Sequence, residues 1–267
     1  AAASPTIPGW MIGLDEAASF MAEDGSTVSV GAPAYIYPFY DASVMADFSS
    51  QGPTDVDFRV KPDVVSPGVN VLSSIPTSFC DGNPCFAFFQ GTSMASPHLA
   101  GMAAIVRQQH PTWPAWAVRS AIVNSADVDA LEKYTLDGGV VDVNVQGAGK
   151  ANLASATEAV ALLDPVSVSF GSTPSRSGVT KSTTVRILNA GTTTHTWGVG
   201  IAAYGPASGV SFSTSVPSVT LAAGASTTFT VNALFAKSAL AGDKQAWLTI
   251  TDGATLVAHS AVYAFVK

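Results

Sequence analysis

Along the first 160 or so residues, stretches with apolar positions at helical spacing alternate with short apolar strands and loops, and beyond them the apolar positions alternate in short blocks. Leu14, Ala17, Ala18 and Met21 repeat in the helical manner until Asp24-Gly25 interrupts them, which predicts a short helix and a turn. TVSVGAPAYIYP is rich in β-branched and aromatic residues and predicts a strand edged by Pro33. From 47 to 76 the chain is broken by SSQGP, KPD and SPG, which predict loops around short strands at Val64-Val65 and Val69 to Leu72. Residues 93 to 109 are apolar or small nearly all round up to a polar end at Arg107, Gln108 and Gln109, with Met94, Leu99, Ile105 and Val106 among them, and predict a buried helix. A second helix is expected from Trp113 to Ser125, with Pro114 in its first turn, and a third over GAGKANLASATEAVALL, 147 to 163. Helices alternating with short apolar strands predict an α/β domain.

The pattern changes after Asp164-Pro165. VSVSF, TTVRIL, HTWGVGI, VSFSTS, SVTL, STTFTVNALF, AWLTI and LVAHSAVYAFV alternate, separated by turns such as Asp252-Gly253. Seven or eight short strands at this spacing predict an all-β sandwich of the immunoglobulin or fibronectin type III kind.

Composition narrows the function classes. The chain is 47% hydrophobic and only 12% charged, about half the usual charged share. A net charge of −7 without a Lys/Arg cluster excludes a nucleic-acid footprint. No run of eighteen apolar residues exists, so a membrane span is not expected. There is neither an initiator Met nor a basic leader, so any signal peptide is expected upstream and the chain is expected to be a fragment. The two cysteines, Cys80 and Cys85, enclose the turn-forming Asp-Gly-Asn-Pro. A disulfide is the favoured reading, against two free thiols or half of a metal site.

FFQGTSMASPHLAG, 88 to 101, holds the candidate chemistry. A serine hydroxyl needs a base to take its proton and donors to hold the oxyanion that forms. At a helix N-terminus unpaired N–H groups and the positive dipole end point where that charge develops. By itself Ser93 also reads as an N-cap. The longer string GTSMASPHLAG resembles the serine signature of the subtilisin-like proteases, the subtilases, and the resemblance assigns the nucleophile to Ser93, with its backbone N–H as an oxyanion donor. DFSSQGP at 47 to 53, KPDVVSPGVNVLSS at 61 to 74 and GAGKANLASA resemble other segments of that family, in its order.

The resemblance implies the C-terminal half of a subtilisin-like three-layer domain with a parallel sheet over 28 to 164. Residues 1 to 27 are similar to the end of a protease-associated domain, and 165 to 267 to a fibronectin type III-like domain. It also implies that the acid, the base and the oxyanion side-chain amide lie upstream. The histidines here are His98, His110, His195 and His259. His98 follows Ser93 by five residues, about 500° of helical rotation, and so faces away; His110 is about 25 Å farther along. Asp47 and Asp63 fall in segments that the resemblance marks as structural loops.

The expected function is therefore a secreted serine endopeptidase acting on protein or peptide through an acyl-enzyme on Ser93, its partner being the missing N-terminal part and the fragment alone inactive. No cofactor is expected for the chemistry. Structural calcium stays open with its site unknown, since no Asp-x-Asp-x-Asp-Gly loop is present. Two other readings compete: a non-catalytic binding or scaffold protein derived from a protease half, and a sandwich that binds polysaccharide or cell surface through Trp197 and Tyr204, for which a core role is favoured.

Overall fold

Two four-residue runs, too short to stand alone, pair as an antiparallel hairpin just upstream of the candidate serine. They are β1 (Val71–Ser74) and β2 (Phe86–Phe89), with Val71 opposite Phe89 and Ser74 opposite Phe86. The Cys80–Cys85 disulfide joins its far end, with Cα atoms 5.5 Å apart, and supports a hairpin of a size that is marginal in water. The structure is a computed structural model and describes residues 44–80, 85–128, 131–132, 141–205 and 207–267. The helix and strand expected within residues 1 to 38, with the protease-associated segment 1 to 27, lie outside the described residues.

Four helices follow: α1 (Thr92–Gln109), α2 (Ala115–Asn124), α3 (Val143–Gln146) and α4 (Leu153–Thr157). Asn152 caps α4, its side-chain oxygen accepting the Ser155 N–H. α2 is the buried one, with Ala117, Val118, Ala121, Ile122 and Val123 in a cluster completed by Val64, Val106, Leu162 and Val166. α1 departs from expectation. Only Val106 of its residues is buried, and Ile105 is 43% exposed. An apolar surface all round buries a helix only where something packs on every side, and the described residues cover α1 chiefly along the Leu99, Met102, Ala103 and Val106 stripe.

The β-rich region comprises β3 (Ala161–Asp164), β4 (Ser167–Thr173), β5 (Thr180–Asn189), β6 (His195–Ala203), β7 (Val210–Thr214), β8 (Ser218–Leu221), β9 (Ser226–Phe235), β10 (Gly242–Asp252) and β11 (Thr255–Val266). The eight alternating blocks of the sequence are β4 to β11. One sheet runs β4-β11-β10-β6-β8 and the other β3-β5-β9-β7. Within them β11 pairs parallel to β4 and the other neighbours are antiparallel. Inward residues of both sheets join one hydrophobic cluster, Val168, Trp197, Leu248 and Val262 from the first with Ile187, Phe229 and Val231 from the second, as the two-residue period of a strand requires.

The third helix expected over 147 to 163 is corrected. Helix is confined to Leu153–Thr157, and Ala161–Asp164 is a strand paired with β5. The ALL run reads equally well at either period, and its buried places on both faces decide for strand. A polar network joins this strand to α2. Ser120 Oγ donates to Asn124 Oδ1 and accepts the Leu163 N–H, while Asn124 Nδ2 donates to the carbonyls of Val166 and His259 at 2.9 and 2.7 Å. Arg186 of β5 adds a guanidinium 3.8 Å from the Trp116 ring centroid and an ion pair to Asp164.

Trp197 and Tyr204 take the packed roles favoured for them over an aromatic platform. Trp197 is 0% exposed. The Tyr204 hydroxyl donates to the Val141 carbonyl and accepts from Gln146 Nε2, both at 2.6 Å, and its ring lies 4.9 Å from that of Trp247.

Candidate active site

The chain reaches Ser93 from β2 through Gln90 and Gly91. Gly91, the N-cap of α1, has φ 151 and ψ 162, a backbone conformation that a side chain would strain. No side chain caps the helix. Ser93 is thus the second helical residue, exposed to solvent, and not the cap that its residue type also allows. The Met94 and Ala95 N–H groups return to the Gly91 carbonyl at 3.0 and 3.3 Å. Those of Thr92 and Ser93 precede the first intrahelical bond and are directed out of the helix end. The first turn contains no acidic residue to oppose an anion there, and an 18-residue helix places its positive dipole end at the same point. Pro97 has no N–H for the Ser93 carbonyl four residues back.

The loop preceding the hairpin touches this first turn twice. Ser66 Oγ donates to the Ala95 carbonyl at 2.7 Å, and the Gly68 carbonyl accepts the Gly91 N–H at 2.8 Å. Sequence reasoning placed SPG in a loop and missed both contacts. The one available signal was a hydroxyl residue inside a family-like segment.

None of the four histidines is brought to Ser93. His98 is exposed, with Nδ1 2.8 Å from the Met94 carbonyl on its own helix. His110 stacks on Trp113 at 3.8 Å and sets Nε2 3.0 Å from the Thr157 carbonyl. His195 lies between Thr193 and Asp252, each 3.2 Å away. His259 is buried, with Nε2 2.6 Å from the Ala148 carbonyl. Two clefts, of about 210 and 270 Å³, lie beside α4 and the β-rich region, and neither is lined by Ser93.

Of the two aspartates, Asp47 is exposed in a turn, and Asp63 is held by Lys61 at 2.9 Å and Arg119 at 2.8 Å. Burial would raise the Asp63 carboxyl, but the hydrogen bonds and charges of Lys61 and Arg119 outweigh it and hold the carboxyl below its ordinary value. A carboxylate depressed in the folded state contributes stability that is present above its unfolded value near 4 and lost as the pH falls through the lower folded one. Asp63→Asn is therefore expected to cost about 1 kcal/mol at pH 7, with the wild-type advantage shrinking as the pH falls below about 4. Urea unfolding of both proteins across pH 3 to 7 checks this, and an equal difference at every pH would refute it.

The model described as the Subtilase family matches residues 10–156. The chain is 41% identical over 146 residues to the minor extracellular protease Vpr of Bacillus subtilis (strain 168), covering 54% of this chain and 18% of that protein. It is 37% identical over 111 residues to the subtilisin-like protease Glyma18g48580 of Glycine max, covering 38% and 14%. With the CO(2)-response secreted protease of Arabidopsis thaliana the identity is 34% over 137 residues, covering 47% and 18%. The chain spans under a fifth of the length of these relatives.

Proposed function

Because the chain belongs to the subtilase family, we propose that it is the nucleophile-bearing part of a longer secreted serine endopeptidase. Ser93 Oγ attacks the carbonyl carbon of a peptide bond, its proton passes to an imidazole, and the oxyanion is met by the Ser93 N–H at the positive end of α1. The amine leaves with that proton, and water then hydrolyses the acyl-enzyme. The observation that carries this reading is the placement of Ser93, exposed and uncommitted at an uncapped helix N-terminus within the matched residues.

The four histidines are engaged elsewhere, which supports an upstream source for the base, the acid and the oxyanion side-chain amide. Alone, the 267-residue chain is inactive as a protease. The exposed apolar flank of α1 fits a partner layer from that upstream part, completing a three-layer domain with its parallel sheet. Residues 1 to 27 are the end of a protease-associated domain, 28 to 164 belong to the catalytic domain, and 165 to 267 form a fibronectin type III-like sandwich. The chemistry as written needs no cofactor, and structural calcium is left to metal analysis of the whole protein.

The test is intact-mass spectrometry of the protein from its native source after treatment with a fluorophosphonate. A longer chain, or a co-purifying N-terminal chain, with the adduct on Ser93 is expected. A 27.2 kDa species without partner or adduct would overturn the proposal in favour of a binding or scaffold role.

A further inference from the structure

We propose that Ser66 is a positioning residue for Ser93, an inference that rests on the reading of Ser93 as the nucleophile. Among the described residues Ser93 and most of α1 are exposed, so side-chain packing within this chain does little to fix the helix end that carries Ser93. Two hydrogen bonds do so instead, and both come from one tripeptide, Ser66-Pro67-Gly68. The Gly68 carbonyl holds the N–H of Gly91, two residues before Ser93, and the Ser66 hydroxyl holds the carbonyl of Ala95, two residues after it. The first bond limits how far the helix end advances. The second, four residues farther along the chain, limits its rotation about the first.

The tripeptide is itself anchored. The Val65 N–H donates to the Gly149 carbonyl at 3.0 Å, the Val65 carbonyl accepts the Ala151 N–H at 2.8 Å, and Val64 is buried in the helical cluster. The approach is close as well. A Cβ on Gly68 would lie 2.8 Å from the Gly91 carbonyl oxygen and 3.2 Å from the Ala95 Cβ, so the loop backbone rests directly on the first turn of α1. The Ala95 carbonyl already has an acceptor role within the helix toward residue 99, so the Ser66 bond is additional to helix formation. Its effect is on where the helix end sits.

Nucleophilic attack is sensitive to placement on this scale, since a displacement of about 1 Å costs on the order of 100-fold. In the full-length protease Ser66→Ala is expected to lower kcat, and the rate of fluorophosphonate labelling of Ser93, about tenfold. KM should stay within about twofold and Tm within about 2 °C. Ser66→Thr, which keeps the hydroxyl, should restore the rate. A Ser66→Ala enzyme that labels at the wild-type rate overturns the inference. So does one in which Tm and KM move while kcat does not, or a Ser66→Thr enzyme as slow as Ser66→Ala at unchanged Tm. Failure of the wild-type full-length protein to label at Ser93 is a different result: it removes the nucleophile reading, and the positioning role falls with it.

Discussion

Ser93→Ala in the full-length protease is expected to reduce kcat/KM for peptide hydrolysis by about 10⁵- to 10⁶-fold and to eliminate fluorophosphonate labelling, with little change in stability. The two halves of this expectation have separate causes. Loss of activity follows from removing the attacking oxygen, after which only positioning and the oxyanion donors act on the substrate. The small effect on stability follows from exposure: Ser93 is at the solvent-facing end of α1 and caps nothing, so truncation to Ala should shift unfolding by no more than about 0.5 kcal/mol. Steady-state kinetics and urea unfolding on the same preparation measure both. Retention of more than about a hundredth of the wild-type kcat/KM would exclude Ser93 as the nucleophile. A large loss of stability with the loss of activity would leave the chemical role unsupported.

Trp197→Ala is expected to cost about 3–5 kcal/mol. The ring is fully buried in β6, in the cluster to which both sheets contribute, with His195 stacked on it at 5.3 Å. Interiors of this density close only partly over a missing indole, so the penalty combines lost burial with a residual cavity. The indole N–H has no hydrogen-bond partner among the described residues, so no polar bond is lost with the ring. Urea unfolding followed by circular dichroism measures the cost. Trp197→Phe should recover more than half of it. A cost below about 1 kcal/mol for Trp197→Ala would mean that the side chain is not a core residue, and would return it to the surface as a binding platform.

Local patterning made much of the architecture legible. Strands β4 to β11 are visible as alternation because each has one inward face, and Trp113 to Ser125 was legible as a helix that proved to be Ala115–Asn124. β3 was not, because a short apolar run buried on both faces has no distinguishing period. β2, FAFF, gave no alternation because apolar residues stand on both of its faces, its three phenylalanines exposed, and its pairing with β1 emerges only in three dimensions. The exposure of α1 was misread because composition reports how much of a helix can be buried, not what covers it.

At the candidate site the division is similar. The residue types and their order along GTSMASPHLAG pointed to the family, which the comparison shows, and to Ser93 as the candidate nucleophile, since a local string defines a helix start and the chemistry a hydroxyl there can perform. Taken alone Ser93 also read as a cap, and the string said nothing of Ser66, whose bond to Ala95 spans 29 residues. That bond, the engagement of each of the four histidines by its own partners away from Ser93, and the network of Asn124 with carbonyls 42 and 135 residues away belong to the tertiary structure. Periodicity, capping and motif chemistry act over a few residues and can be read directly from the sequence. Contacts between distant segments depend on how whole elements pack, and only the folded chain decides them.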